Sequence, residues 1–203
     1  MSIRGRKPFA GYTFFLIGSI FLLTQCGLFS GKDYSEMNPV TLQNQEETPV
    51  TIPSLFEDKV TLVGFVYTHC PDICPMVTYN MRDVSREVND ERFQLLSISF
   101  DPRRDTPAIL SSYAESYKLN LDQWHLVTGQ PSDVEYVMET LGIAVVKQPS
   151  SFLDSGEEMY FIDHSDKVLL IDDQAKLVDE FVGSTFDIQE VTLAARKLLD
   201  NPS

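Results

Sequence analysis

The sequence predicts an α/β domain in which a mixed central sheet is flanked by helices. Three observations predict it. Runs rich in β-branched and aromatic residues alternate with amphipathic helical segments through the middle of the chain, the order that builds strands joined by helices. Two late strands flank a short polar turn, which adds an antiparallel hairpin. A chain of 203 residues, 43% hydrophobic and 23% charged, also has the size and composition of one packed core.

Each element has a local reason. Residues 59–67 (KVTLVGFVY) are almost all apolar and β-branched or aromatic, as a strand buried on both faces requires. Ile73, Val77, Met81, Val84 and Val88 then recur at spacings of three and four, one face of an α-helix. Residues 93–100 (FQLLSISF) form the next strand. Thr106 followed by Pro107 reads as an N-cap and first-turn proline, opening a helix to about Leu119. Residues 124–128 are a short strand. Pro131-Ser132-Asp133 opens a helix that runs to about Leu141 and stops at Gly142. Strands at 168–171 and 177–182 flank the hairpin turn Asp172-Asp173-Gln174-Ala175-Lys176, and an amphipathic helix over 187–199 closes the chain. This order is compatible with a thioredoxin-like domain.

The N-terminus reads as an address. Arg4, Arg6 and Lys7 precede an uncharged run from Phe9 to Leu23, the grammar of a secretory signal peptide. Fifteen residues are short for a membrane span of about 20, and extension through Phe29 would make an uncleaved anchor. Leu23-Thr24-Gln25-Cys26 resembles the lipobox of bacterial lipoproteins, in which the cysteine is lipidated. Gln25 departs from the small residue usual there. Residues 1–29 are therefore expected to be a signal peptide, lipoprotein leader or anchor, residues 30–49 a polar tether, and residues 50–203 the folded domain. Either form of attachment places the domain outside the cytoplasm, on the periplasmic face of a membrane.

The charge balance excludes one class of partner. Thirty acidic residues against sixteen basic give a net charge of −14. Such a surface repels phosphate, so no nucleic-acid partner is expected. The three cysteines, Cys26, Cys70 and Cys74, are too few for a disulfide framework.

Cys70 and Cys74 stand at the junction of the first strong strand and its helix. With Pro71 as the first helical residue, the two thiols lie about one turn apart on one side. Both then sit where unpaired N–H groups and the helix dipole favour an anion, so both are expected to ionise readily. Thiolates at this spacing can close a disulfide or hold one metal ion. The generic thioredoxin site has two residues between its cysteines, and here there are three. The cis-proline that site needs is not evident, because Pro149 is followed by Ser150 and Ser151 rather than a strand. In its place Ile162-Asp163-His164-Ser165 precedes the hairpin. An imidazole joined to two thiolates is a set that favours Cu(I) and tolerates Cu(II) or Zn(II).

Four runs in order resemble the Sco/SenC family, thioredoxin-like copper proteins of cytochrome c oxidase assembly. They are Cys70-Pro71-Asp72-Ile73-Cys74-Pro75; Ser99-Phe100-Asp101-Pro102-Arg103-Arg104-Asp105-Thr106-Pro107; Trp124 with Leu126-Val127-Thr128-Gly129; and Asp163-His164-Ser165. The resemblance spans about residues 50–200. It implies copper ligation by Cys70, Cys74 and His164. It further implies copper delivery to, or thiol reduction at, the copper centre of an oxidase subunit or another copper protein.

The leading expectation is thus a membrane-tethered copper metallochaperone. Its rival is a thiol–disulfide oxidoreductase with Cys70 attacking and Cys74 resolving. A sensor or a peroxidase ranks below both. Among the neighbours, His69 reads as a rim residue rather than a ligand, and His125 as a packing or surface histidine. Asp72 either tunes the metal or stabilises the first helical turn. Asp163 either orients His164 or is a turn acid. Residues 101–105 read as structural, with Asp105 or Thr106 capping the helix.

Overall fold

The computed structural model describes residues 31–156 and 158–202, together with Met1. The chain divides into residues 1–30 and 31–203. The leader and Cys26 lie outside the described residues.

The domain is built on a seven-stranded mixed sheet, and its fold is thioredoxin-like. The strands are β1 (Val40–Asn44), β2 (Pro49–Ile52), β3 (Val60–Val66), β4 (Phe93–Ser99), β5 (Trp124–Thr128), β10 (Lys167–Ile171) and β11 (Leu177–Val182). Their spatial order is β11-β10-β3-β4-β5-β1-β2. β3, β4 and β5 run parallel at the centre, and the flanking strands pair antiparallel. β3 and β4 are buried along their whole length, which is why they read as mostly apolar runs without an inside–outside alternation.

Helices α1 (Ile73–Val88), α2 (Pro107–Tyr117) and α4 (Ile188–Asp200) cover one face, where Val77, Met81, Leu110 and Val191 meet Leu62, Leu95 and Leu126. Helix α3 (Pro131–Leu141) covers the other with Val134, Val137 and Leu141 against Val63, Leu96 and Val127. Gly64 lets α1 lie close on β3, because a Cβ there would stand 2.4 Å from the Met81 sulfur. Thr106 caps α2 through the Ile109 amide, and Asp187 caps α4 through the amides of Gln189 and Glu190. Helix α3 ends on Gly142 in the left-handed region, as its sequence predicts.

Two expectations are corrected, and one region gains structure. Of the expected tether over 30–49, the described residues 31–49 belong to the folded domain, since β1 lies inside the sheet between β5 and β2. Leu42 is buried against Gly129, and Tyr34 is buried with its amide donating to the Ala175 carbonyl at 2.9 Å. The folded domain therefore begins well before residue 50. Helix α1 begins at Ile73 with Asp72 as N-cap, so Pro71 precedes the helix instead of opening it. Finally, residues 145–164 contain two small ladders that the sequence pattern did not predict. One pairs β6 (Val145–Lys147) with β9 (Ile162–His164), the other β7 (Ser151–Phe152) with β8 (Glu158–Met159). Among the described residues, no helix is long and apolar enough to cross a membrane.

Candidate metal and thiol site

The site forms where the C-terminal end of β3 meets α1 and β9. The chain leaves β3 through Tyr67 and turns, with the Cys70 amide donating to the Tyr67 carbonyl at 3.2 Å. This turn puts the Cys70 sulfur over the start of α1, where it accepts the Cys74 backbone N–H at 3.4 Å. The Asp72 amide donates to the same sulfur. Cys70 is half-buried, whereas Cys74, inside the helix, is fully buried. Both are free thiols.

His164 arrives from β9, ninety residues along the chain, and its Nε2 stands 3.9 Å from the Cys74 sulfur. Its Nδ1 lies 2.9 Å from the Ser165 carbonyl. A carbonyl can only accept, so Nδ1 carries a proton, and Nε2 faces the Cys74 sulfur, as a donor when the ring is charged and with its lone pair free when it is neutral. Phe100 backs the ring at a centroid distance of 4.5 Å and itself rests on Tyr67 at 5.2 Å.

The environment separates the two thiols. A hydrogen bond from the Cys74 thiol holds Cys70 below the ordinary thiol range against the opposing effect of burial. Contact with His164 and the helix-start amides lower it further. Cys74 moves the other way, because it donates that hydrogen bond and is buried. The expectation that both thiols ionise readily therefore holds for Cys70 alone. Burial works against the charged form of His164, but contact with Cys70 and the Ser165 carbonyl raise it above its usual value on balance.

The donor set comes close to the spacing a metal ion needs. Two ligands about 2.0–2.3 Å from one ion stand roughly 3.6–3.8 Å apart at trigonal to tetrahedral angles. The 3.9 Å between Cys74 and His164 lies just outside that span. Among the described residues, no three His, Cys, Asp or Glu side chains are already drawn into a closed cage. The arrangement is thus open: Cys74 and His164 stand near ligand spacing, and the Cys70 sulfur lies beside them over the start of the helix.

The neighbouring residues differ from their expected roles. Asp72 is exposed and makes no side-chain capping bond; only its backbone serves the site. Asp163 accepts from the Gln148 side chain and does not hold His164, whose orienting partner is the Ser165 carbonyl. An acid next to the histidine in sequence points to the opposite side of its strand, which is why the adjacency misled. His69 is exposed and lies against Thr68, and His125 is partly buried in β5, away from the thiols.

The sequence reading missed Asp101, Arg104, Asp105 and Tyr160 as supports of the site. Asp105 is fully buried and accepts from the Thr68 amide at 3.1 Å, the Thr68 hydroxyl at 2.6 Å and the Ser99 hydroxyl at 2.6 Å. Burial raises its carboxyl above the usual range although these bonds oppose the shift. Asp101, also buried, accepts from Arg104 and from the Tyr160 hydroxyl. Their signal in the sequence is two acids flanking a pair of arginines; a structural role with capping of α2 fits that pattern equally, and Thr106 is the residue that caps.

Comparison with known proteins places the whole described domain. The sequence profile of the SCO1/SenC family matches residues 30–200. The chain is 33% identical to the SCO1 protein homolog of Bacillus subtilis (strain 168) over 172 residues, 82% of this chain and 85% of the relative. Among solved structures, it is similar to Bradyrhizobium japonicum ScoI with copper bound, with 27% identity and a TM-score of 0.67. That match covers 79% of this chain and 97% of the other. It is similar as well to BsSco, described through its disulfide switch and as a member of the Sco family of cytochrome c oxidase assembly proteins. There the identity is 25%, the TM-score 0.65, and the coverage 84% and 96%.

Proposed function

The chain belongs to the SCO1/SenC family, and from that premise we propose that it is a membrane-tethered copper metallochaperone for cytochrome c oxidase assembly. Copper is its cargo, held by Cys70, Cys74 and His164. The observation that carries the reading is the approach of His164 Nε2 to the Cys74 sulfur, beside the Cys70 sulfur, across ninety or more residues of chain. Two soft thiolates and an imidazole suit Cu(I), and three donors leave a position open to an incoming ligand. A recipient's sulfur or imidazole can enter there and replace the holder's ligands one at a time. The copper-bound state of the Bradyrhizobium relative supports the same assignment. The leader over residues 1–29, lipidated at Cys26 or kept as an anchor, would hold the domain on the periplasmic face of the membrane. The recipient is the copper-accepting subunit of the oxidase or another copper protein.

Cu(I) titration of reduced residues 31–203 against a competing chelator tests the ligand set. The expected result is one tight site that loses most of its affinity in each of Cys70→Ala, Cys74→Ala and His164→Ala. Undiminished affinity in His164→Ala would remove the histidine from the site.

A second reading, thiol–disulfide exchange, is favoured by the asymmetry of the thiols. Cys70 is half-buried and acidified, and Cys74 is buried and protonated. The Cys70 thiolate would attack a partner disulfide and release one partner thiolate. Cys74, losing its proton, would then displace the second, leaving the partner reduced by two electrons and a Cys70–Cys74 disulfide behind. The two roles are compatible, because copper loading needs reduced thiols on both proteins.

A further inference from the structure

The site has two arms, and they are far apart in sequence. One is the loop after β3 that carries Cys70, and the other is β9 with His164. We infer that the turn formed by residues 99–105 is a positioning element that couples these arms, so that displacement of one is felt by the other. The inference rests on the reading of Cys70, Cys74 and His164 as one site.

Three sets of contacts converge on this turn. Toward the thiol arm, the Asp105 carboxylate takes both the amide and the hydroxyl of Thr68, two residues before Cys70. Toward the histidine arm, the Asp101 carboxylate takes the hydroxyl of Tyr160 at 2.8 Å, four residues before His164. Arg104 donates to Asp101 and to the Tyr160 carbonyl at 3.3 Å, and its guanidinium lies 3.7 Å from the centre of the Tyr160 ring. The same guanidinium is 5.7 Å from the Tyr67 ring, on the thiol arm. Within the turn, the amides of Arg104 and Asp105 both donate to the Asp101 carbonyl, at 3.1 and 2.9 Å. A shift of Asp101 therefore moves Asp105 with it.

Placing two carboxylates nine-tenths or more out of water within five residues is costly unless every acceptor is used. Here the acceptors are used on different arms, one carboxylate each. A helix cap would need neither, since Thr106 already caps α2 through its own hydroxyl. The pattern is that of outer groups that fix ligand-bearing segments, applied to both sides of a site by one turn.

The test needs no metal. Residues 31–203 are compared as wild type, Tyr160→Phe, Thr68→Val and the double variant. Two readouts are taken: Cys70 alkylation by iodoacetamide, and amide hydrogen exchange over Ile162–His164. Tyr160→Phe should speed Cys70 alkylation roughly two- to tenfold, about the weight of one hydrogen bond. Thr68→Val should speed exchange over β9 to a similar degree, and the double variant should fall short of the product of the two. Ser184→Ala is the control, because it loosens the Asp166 side of the histidine arm without touching the turn. It should leave the Cys70 rate unchanged. Arg104→Lys, which keeps the charge and loses the fork, repeats the test should Tyr160→Phe fold poorly. Changes confined to each variant's own arm would overturn the inference, as would an equal response to Ser184→Ala. Loss of the copper reading would instead appear in the chelator titration and leave this metal-free comparison intact.

Discussion

At the scale of single residues, the reactivity of the thiols is decided by where Cys70 and Cys74 fall along the chain. Cys70 precedes the helix and Cys74 lies inside it, so the first sulfur receives N–H donors and the second is sealed among apolar side chains. The hydrogen bond from Cys74 to Cys70 that acidifies the first thiol therefore suppresses the second, and burial adds to that suppression. Iodoacetamide should modify Cys70 and spare Cys74 in the folded, reduced domain. The sign of the pH dependence follows, since a lowered thiol pKa fills the thiolate state at lower pH. The half-maximal rate for Cys70 should fall below the ordinary thiol midpoint of about 8.5. A midpoint at or above that value, or equal modification of both cysteines, would remove the asymmetry on which the exchange reading depends.

At the scale of elements, the N-terminal hairpin changes where the domain must begin. β1 bonds to β5 and β2, and Leu42 fills the space beside Gly129 at the base of α3. A fragment from residue 50 would expose this side of the sheet and the edge of β5. Urea unfolding should show a cooperative transition for residues 31–203 and a much weaker or absent one for 50–203. Leu42→Ala should cost about 2–5 kcal/mol, the range for a buried leucine. Equal stability of the two fragments would return residues 31–49 to the role of tether. The reasons these elements escaped the sequence reading are physical. β3, β4 and β5 are legible because they are largely buried on both faces and hence mostly apolar, and α1, α3 and α4 because they show helical periodicity beside clear caps or stops. β1 alternates Leu42 and Asn44 inward with Thr41 and Gln43 outward, and the Gln-Glu-Glu turn beside it dilutes so short a signal. β6 to β9 are two or three residues each and largely exposed, below any periodicity. The Cys70–Cys74 pair was readable from spacing at a strand–helix junction. His164 was reached only through family resemblance, because nothing local ties it to residues ninety positions away.

At the scale of the whole molecule, the site and the start of the domain stand at opposite ends of the central strand. The Tyr34 amide bonds to Ala175, and the Leu177 amide to the Lys32 carbonyl at 2.8 Å, so the chain enters beside the hairpin turn of β10 and β11. That turn lies at the beginning of β3, where the Asp58 amide donates to Asp173 at 3.0 Å and Ile171 pairs with Thr61. Cys70 follows the other end of β3, a strand of seven residues or about 20 Å. With Cys26 lipidated as proposed, five residues reach to Gly31 and can span at most ~18 Å. The short link would hold the hairpin end near the bilayer and leave the thiols at the end directed away from it, where an acceptor must reach them. With residues 31–49 folded into the domain, the proposed link after Cys26 is shorter than a twenty-residue tether by most of its length. Lipidated protein in bilayers doped with a paramagnetic lipid should show stronger amide broadening over residues 172–176 than over residues 68–74. Equal broadening would mean that the link does not orient the domain, and the reverse order would place the thiols at the membrane and require a recipient site at the lipid surface.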